Sequence, residues 1–329
     1  MIEGRLNLRI ARETWPLAEP LRISFASIEA ADVIVAELHD GEHVGRGEGI
    51  GVFYRDDNAE CGLAELQRAA EAFSKGVAYA DVFAQLKSYA ARNALDCAAW
   101  DLKCKQAGCS IWEMTGVTPG PVETFSTISL DSPQNMAASA RARRGSRLKL
   151  KIDATDPVGQ VEAVRRARPD AILIADANQA FSFAQLQEVS PALARLGLGL
   201  LEQPLPAGAD DALQGYRSAV PLAADESCFD TADLDVARRR YDVINVKLDK
   251  AGGLTEALRL ERESRRLGLR TMVGCMVGTS LSMAPGFVVA RAGVSFVDLD
   301  GPVLLAKDRS GGATYSGEVV TPPASSFWG

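Results

Sequence analysis

Short apolar or β-branched runs return eight times after residue 119, and this rhythm constrains the fold more than any other feature. They are Glu123–Leu130, Leu148–Ile152, Ala171–Ala175, Leu198–Leu201, Val220–Ala223, Val243–Leu248, Thr271–Cys275 and Phe296–Leu299. Amphipathic stretches separate them, among them Pro157–Arg168, Phe183–Leu196, Thr231–Arg240 and Leu254–Leu267, often opened by Asp, Ser or Thr and closed near Gly or Pro. Eight strands alternating with helices every ~20–25 residues is the pattern of a parallel barrel. A doubly wound open sheet gives a similar alternation and is the rival architecture.

Residues 1–118 read differently. Leu6–Ile10 and Val33–Leu38 are expected strands, and Ala59–Phe73 and Asn93–Ala107 expected helices. Together they suggest an α+β module. Gly45, Gly47, Gly49 and Gly51 read as hairpin and turn glycines, not as a nucleotide fingerprint, because the run does not open a helix inside a βαβ unit. Ser146-Arg147-Leu148-Lys149 matches SxxK by chance, since no KTG follows. Arg238-Arg239-Arg240 ends an expected helix, where cations offset the dipole. The tail after Gly301 is expected to pack back on the N-terminal module.

Charge narrows the function classes. A net charge of −7 without a basic block argues against nucleic acid and anionic membranes as partners. The two histidines, His39 and His43, lie four apart in the N-terminal module, so chemistry elsewhere runs without imidazole. Six cysteines without a CxxC pair, no apolar leader and no span-length apolar run point to a reduced, cytoplasmic protein. Self-association is left open.

In a barrel, the C-terminal strand ends face one shared site. Here they carry Lys149-Leu150-Lys151, Asp176-Ala177-Asn178, Glu202-Gln203-Pro204, Asp225-Glu226-Ser227, Asn245-Val246-Lys247 and Asp298-Leu299-Asp300. Asp176, Glu202 and Asp225, on three consecutive strands, supply hard oxygen ligands that suit Mg²⁺. Lys151 and Lys247 come from the second and sixth strands, opposite one another in a ring of eight. A carboxylate-bound cation stabilises an enediolate by several kcal/mol. A lysine beside a cation can have its pKa lowered toward ~7–8 and serve as a base. Two such lysines on opposite faces make a racemase or epimerase geometry. Singly, each residue is as readily a cap or a surface ion-pair partner. Jointly, five charges recurring at strand ends have no structural account.

These residues resemble the enolase superfamily, in the muconate-lactonizing subgroup with a lysine on each side of the metal. KLK, DAN, EQP, ADES, INVKLDKAGG and DLDGP occur in order, with ARNALDCAAWDL in the N-terminal module. The resemblance is nearest to dipeptide epimerases of the L-Ala-D/L-Glu type. It implies an α/β fold, a (β/α)7β TIM-like barrel at 119–301, and an α+β capping domain at 1–118 completed by the tail 302–329. It further implies Mg²⁺ on Asp176, Glu202 and Asp225, with Lys151 and Lys247 as the two acid/base catalysts. Lys149 is expected to lower the pKa of Lys151 and to contact the substrate carboxylate, while Asn178 and Glu226 support the metal ligands. Asp298 and Asp300 match the pair that holds a dipeptide ammonium, and Thr127 joins the substrate-binding set.

In the same family an arginine of the N-terminal loop receives a glutamate side chain. Phe25 stands at that place, and Arg22 lies three residues earlier on the other face. Phe25, Phe53 and Tyr54 are left either to line an apolar pocket or only to close the lid. Met276 and Val277 are expected beside the substrate's N-terminal residue. The rival activities are a cycloisomerase or lyase on a carboxylate lacking an ammonium, and a non-catalytic barrel that binds small acids.

Overall fold

In the computed structural model, which describes residues 5–329, three long strands open the chain. They are β1 (Asn7–Ile23), β2 (Ala26–His39) and β3 (Val44–Ile50), paired antiparallel in the order β1-β2-β3. Only Ser24 and Phe25 separate β1 from β2. Four helices follow: α1 (Ala59–Ser74), α2 (Tyr79–Gln85), α3 (Tyr89–Ala107) and α4 (Ile111–Thr115). Their ends are written in the sequence. Asn58 caps α1 through Cys61 N–H, Ser88 caps α3, and Gly108 closes α3 in the left-handed region at φ 62°.

The glycine run is not a turn. Gly45, Gly47 and Gly49 lie inside β3 on one face, where α3 lies directly on the strand. A Cβ at these glycines would sit 2.1, 2.1 and 2.0 Å from the carbonyl oxygens of Ala98, Ala94 and Ala90. Two strand residues advance about 6.7 Å and four helix residues about 6.0 Å, so a glycine meets an alanine at each repeat. The opposite face of β3 carries Glu48, which is fully buried against the barrel.

After β4 (Val122–Glu123), eight parallel strands follow in sequence order. They are β5 (Ser126–Ile128), β6 (Arg147–Lys151), β7 (Ile172–Asp176), β8 (Leu198–Glu202), β9 (Leu222–Ala224), β10 (Val243–Val246), β11 (Arg270–Val273) and β12 (Phe296–Val297). Phe125 N–H donates to Val297 O at 2.8 Å and joins the last strand to the first. All eight expected strands are present, and the sheet curls into the barrel that the rhythm predicts. Helices α5 (Pro133–Ala142), α6 (Pro157–Ala167) and α7 (Phe183–Arg195) follow β5, β6 and β7. After β9 the expected helix Thr231–Arg240 shrinks to a 3₁₀ turn and one helical turn, α8 (Leu234–Ala237). The Asp230–Asp233 capping box spends the start of the segment on that tight turn. Helices α9 (Leu248–Ala251), α10 (Leu254–Arg266), α11 (Ser280–Arg291) and α12 (Gly301–Leu304) complete the ring, and a hairpin of β13 (Thr314–Ser316) and β14 (Val319–Thr321) pairs with β4. No helix among the described residues is long and apolar enough to cross a membrane.

Phe125, Ile174, Leu200, Ala223, Val243 and Met272 plug the barrel interior. Charged side chains at the strand ends therefore rest on a dry apolar floor. The tail returns to the N-terminal module: Trp328 Nε1 donates to Arg46 O at 2.9 Å, and Gly329 N–H to Asp101 Oδ1 at 2.9 Å. Arg309 links three pieces, reaching Glu13 Oε2 (2.5 Å), Glu48 Oε2 (2.8 Å) and Thr279 Oγ1 (2.7 Å) while lying over the Trp15 ring.

Candidate active site

Register brings the charged strand ends together. Lys151 pairs with Asp176 and Asp176 with Glu202 across neighbouring parallel strands. Asp225 follows β9 by one residue, and Lys247 follows β10. Carboxylate oxygens of Asp176, Glu202 and Asp225 lie within 4.8 Å of one another, and all three residues are buried. Lysines surround them. Lys151 Nζ lies 2.7 Å from Asp176 Oδ2, and Lys247 Nζ 2.6 Å from Asp225 Oδ2. Strands β6 and β10 are four apart in a ring of eight, so these two amines approach from opposite sides.

Lys149 shares the inward face of β6 with Lys151, because alternate strand residues point the same way. It lies deeper and is only 2% exposed. Its ammonium is spent on Asp298 (2.7 Å), Glu202 (2.7 Å) and Asp176 (3.3 Å). Two residues earlier on the strand, Lys149 lies beneath the carboxylates, whereas Lys151 reaches the cavity above them. Asp300 Oδ2 accepts Thr127 N–H at 2.6 Å. Asp298, Asp300 and Thr127 thus form a buried cluster beside Lys149 and are not among the residues that line the cavity above.

The electrostatics follow from burial and pairing. Burial disfavours the Asp176 carboxylate, but Lys151 and Lys149 outweigh it and hold its pKa low. Lys247 and Lys250 do the same for Asp225. Burial and the Asp176 charge push Glu202 up to about 7, and burial with Asp225 pushes Glu226 up to about 8. Burial opposes the Lys247 ammonium, yet Asp225 and Glu202 raise its pKa overall. The expected lowering of a lysine pKa is therefore not a property of the carboxylate cluster by itself. It needs positive charge on the carboxylates.

The cluster fits a small divalent cation. Its donors are hard carboxylate oxygens from three buried residues that converge to within 4.8 Å of one another.

Three supporting residues were not singled out in the sequence. Asn245 Nδ2 donates to Glu202 Oε1 at 2.6 Å. Gln203 Oε1 accepts Asp225 N–H at 3.0 Å. Lys250, 1% exposed, lies 2.8 Å from Asp225 Oδ1 and donates to the carbonyls of Asp225, Cys228 and Asn245. The signal for Lys250 was its place in the short turn Leu248–Ala251 directly after a barrel strand end, where an ammonium is buried only with partners. Asn178, Gln179 and Gln203 adopt positive φ, and backbone strain of this kind gathers where geometry is over-determined.

Above the cluster lies a cavity of about 260 Å³. Lys151, Asn178, Asp225, Glu226 and Lys247 line its floor, Phe25, Ile28, Phe53 and Tyr54 its roof, and Met276 and Val277 one side. The roof is pinned: Ser24 Oγ donates to Asn178 O at 2.8 Å.

Two family descriptions match this chain. "Mandelate racemase / muconate lactonizing enzyme, N-terminal domain" covers residues 5–116, and "Enolase C-terminal domain-like" covers 134–308. The chain belongs to the enolase superfamily. Among enolase-superfamily relatives, L-Ala-D/L-Glu epimerase of Escherichia coli is 38% identical over 92% of this chain and 95% of its own. N-acetyl-D-glutamate racemase of a Pseudoalteromonas species is 37% identical over 90% and 95%. An enolase family member from Agrobacterium tumefaciens with homology to dipeptide epimerases, crystallised with sodium and L-Ala-L-Glu, superposes with a TM-score of 0.94 at 40% identity, covering 98% of this chain and 100% of its own. The dipeptide epimerase of Enterococcus faecalis, in complex with Mg and L-Leu-L-Tyr, gives 0.89 at 27% identity and covers 98% of each chain.

Proposed function

We propose that this enolase-superfamily chain is a magnesium-dependent isomerase that epimerises dipeptides at the α-carbon of the C-terminal residue. The observation that carries the reading is the pair of cavity-lining lysines, Lys151 and Lys247, on opposite sides of a buried carboxylate triad. Asp176, Glu202 and Asp225 would hold the magnesium ion, which when bound offsets their charge and stabilises the negative charge on a substrate carboxylate by several kcal/mol.

The residues of the chain do the rest. One lysine, as the free amine, takes the α-proton from one face of the substrate. The other, as the ammonium, delivers its own proton to the opposite face. Inversion leaves the two lysines with exchanged protonation states, and exchange with solvent resets them. Asn245, Gln203 and Lys250 fix the carboxylates, and Asn178 and Glu226 support them from the cavity wall. Asp298 and Asp300, with Thr127, are assigned to the substrate's ammonium end, and Phe25, Phe53 and Met276 to its side chains. The same reading divides the chain into a capping unit of 1–118 with 302–329 and a barrel of 119–301. The tail's bonds to Arg46 and Asp101 support that division. A small peptide as partner and a cytoplasmic location complete it.

One observation favours a second reading, racemisation of an N-acylated amino acid. Asp298 is already neutralised by Lys149, so no free carboxylate lines the cavity at that end. One experiment decides between the two. The protein is incubated in D₂O with Mg²⁺ and either dipeptides or N-acetyl amino acids, and a one-dalton gain is followed by mass spectrometry. Exchange into dipeptides supports the proposal. Exchange confined to N-acetyl amino acids selects the second reading, and exchange into neither removes both.

A further inference from the structure

We infer that the residue inverted at this site carries an apolar side chain, aliphatic or aromatic, and that Phe25 is the specificity-determining residue. The inference rests on the epimerase reading and narrows it to one class of substrate.

The roof of the cavity is apolar and left uncovered. Phe25 is 50% and Phe53 44% exposed, and their ring centroids are 5.9 Å apart. Tyr54 meets Phe53 edge-on at 5.3 Å. Exposed apolar area of this kind gains about 25 cal/mol per Å² when a ligand covers it. These rings are held in place, because Ser24 Oγ bonds to Asn178 O and Leu130 N–H to Arg22 O. Asn178 lies two residues beyond Asp176, so the pin holds Phe25 over the acidic cluster.

An acidic side chain finds no cation there. The arginines of the surrounding segments are committed elsewhere. Arg12 is paired with Asp32 and Arg22 with Asp131, while Arg55 lies over the Phe229 ring at 4.6 Å. Among the described residues, the only ammonium groups lining the cavity, those of Lys151 and Lys247, are paired with Asp176 and Asp225. A carboxylate under the roof would lose its hydration beside Asp57 with no cation in return. A basic side chain finds Asp32 already paired with Arg12, and Asp57, whose Oδ2 accepts Ala90 N–H at 3.0 Å and whose Oδ1 is unpaired, lies buried, so an ammonium would have to shed its water to reach it. A volume of about 260 Å³ stands at the small end of ligand pockets and suits a dipeptide.

The test is competitive solvent-deuterium exchange with Mg²⁺ and equal amounts of L-Ala-L-Leu, L-Ala-L-Phe, L-Ala-L-Glu and L-Ala-L-Lys, read by mass. The Leu and Phe dipeptides are expected to exchange about 10²-fold faster than the Glu and Lys ones. In Phe25→Arg the Leu-to-Glu ratio is expected to reverse, and in Phe25→Ala to fall at least tenfold. Circular dichroism establishes that both variants fold. Exchange of L-Ala-L-Glu or L-Ala-L-Lys at the rate of L-Ala-L-Leu overturns the inference and leaves the epimerase reading standing. So does a ratio that neither substitution moves. Deuterium in none of the four removes the epimerase reading and the inference with it.

Discussion

The floor and the roof of the cavity are built on opposite principles. The floor is β-strand ends whose carboxylates and lysines are mostly buried and paired, and the roof is the hairpin tip at Phe25 with Phe53 and Tyr54 beside it, its two phenylalanine rings about half exposed. A floor of this kind sets which bond reacts, since charge held in a dry site acts strongly and needs no reorganisation. The roof sets which molecule stays long enough to react. Changes in the floor should therefore fall on kcat, and changes in the roof on KM.

The largest effect that would test this contrast is at the lysines. Lys151→Ala and Lys247→Ala should each lower epimerisation by about 10²–10⁴-fold. Rates of deuterium uptake and of product formation, measured from both substrate epimers, check it. Near-full activity in either variant would break the two-base scheme.

Next come the junctions that hold roof over floor. Arg309→Met strands the buried Glu48 carboxylate and should cost about 3–5 kcal/mol of stability, read by urea unfolding. Asp249, buried between barrel and cap, accepts Ile50 N–H and Asn93 Nδ2. Burial pushes its pKa up to about 6. A raised carboxyl pKa gives stability that is full below the unfolded value near 4 and is lost as pH rises through 6. Asp249→Asn removes that loss, so the variant should gain on the wild type by about 3 kcal/mol between pH 4 and pH 7. A gap between the two unfolding curves that stays flat with pH would count against it.

The smallest effect belongs to the roof. Phe53→Ala should raise KM for an apolar dipeptide about tenfold and leave kcat near its original value. Equal losses in both would mean that the roof takes part in the chemistry.

The floor was legible in the sequence because strand periodicity and strand-end position are local facts. Lys151, Asp176, Glu202, Asp225 and Lys247 could be placed on one rim without knowing a single contact. Depth was not legible. Lys149 and Lys151 carry the same side chain on the same face, and only the closed barrel shows that one is sealed by Asp298 while the other lines the cavity. Nor did the tail betray Arg309, whose partners Glu13 and Glu48 lie 296 and 261 residues away. The glycine run was misread for a related reason. Alternating glycines fit either a turn or a close approach, and what decides is a helix more than forty residues later in the chain.

That close approach has a consequence for how such a protein can change over generations. Gly45, Gly47 and Gly49 admit no side chain, because one would run into the backbone of α3. Three positions are thereby closed to substitution for reasons unconnected with chemistry. The hairpin tip carries no such burden. Phe25 can be exchanged without disturbing strand, helix or carboxylate, so new substrates are reachable by single steps from a frame that stays fixed.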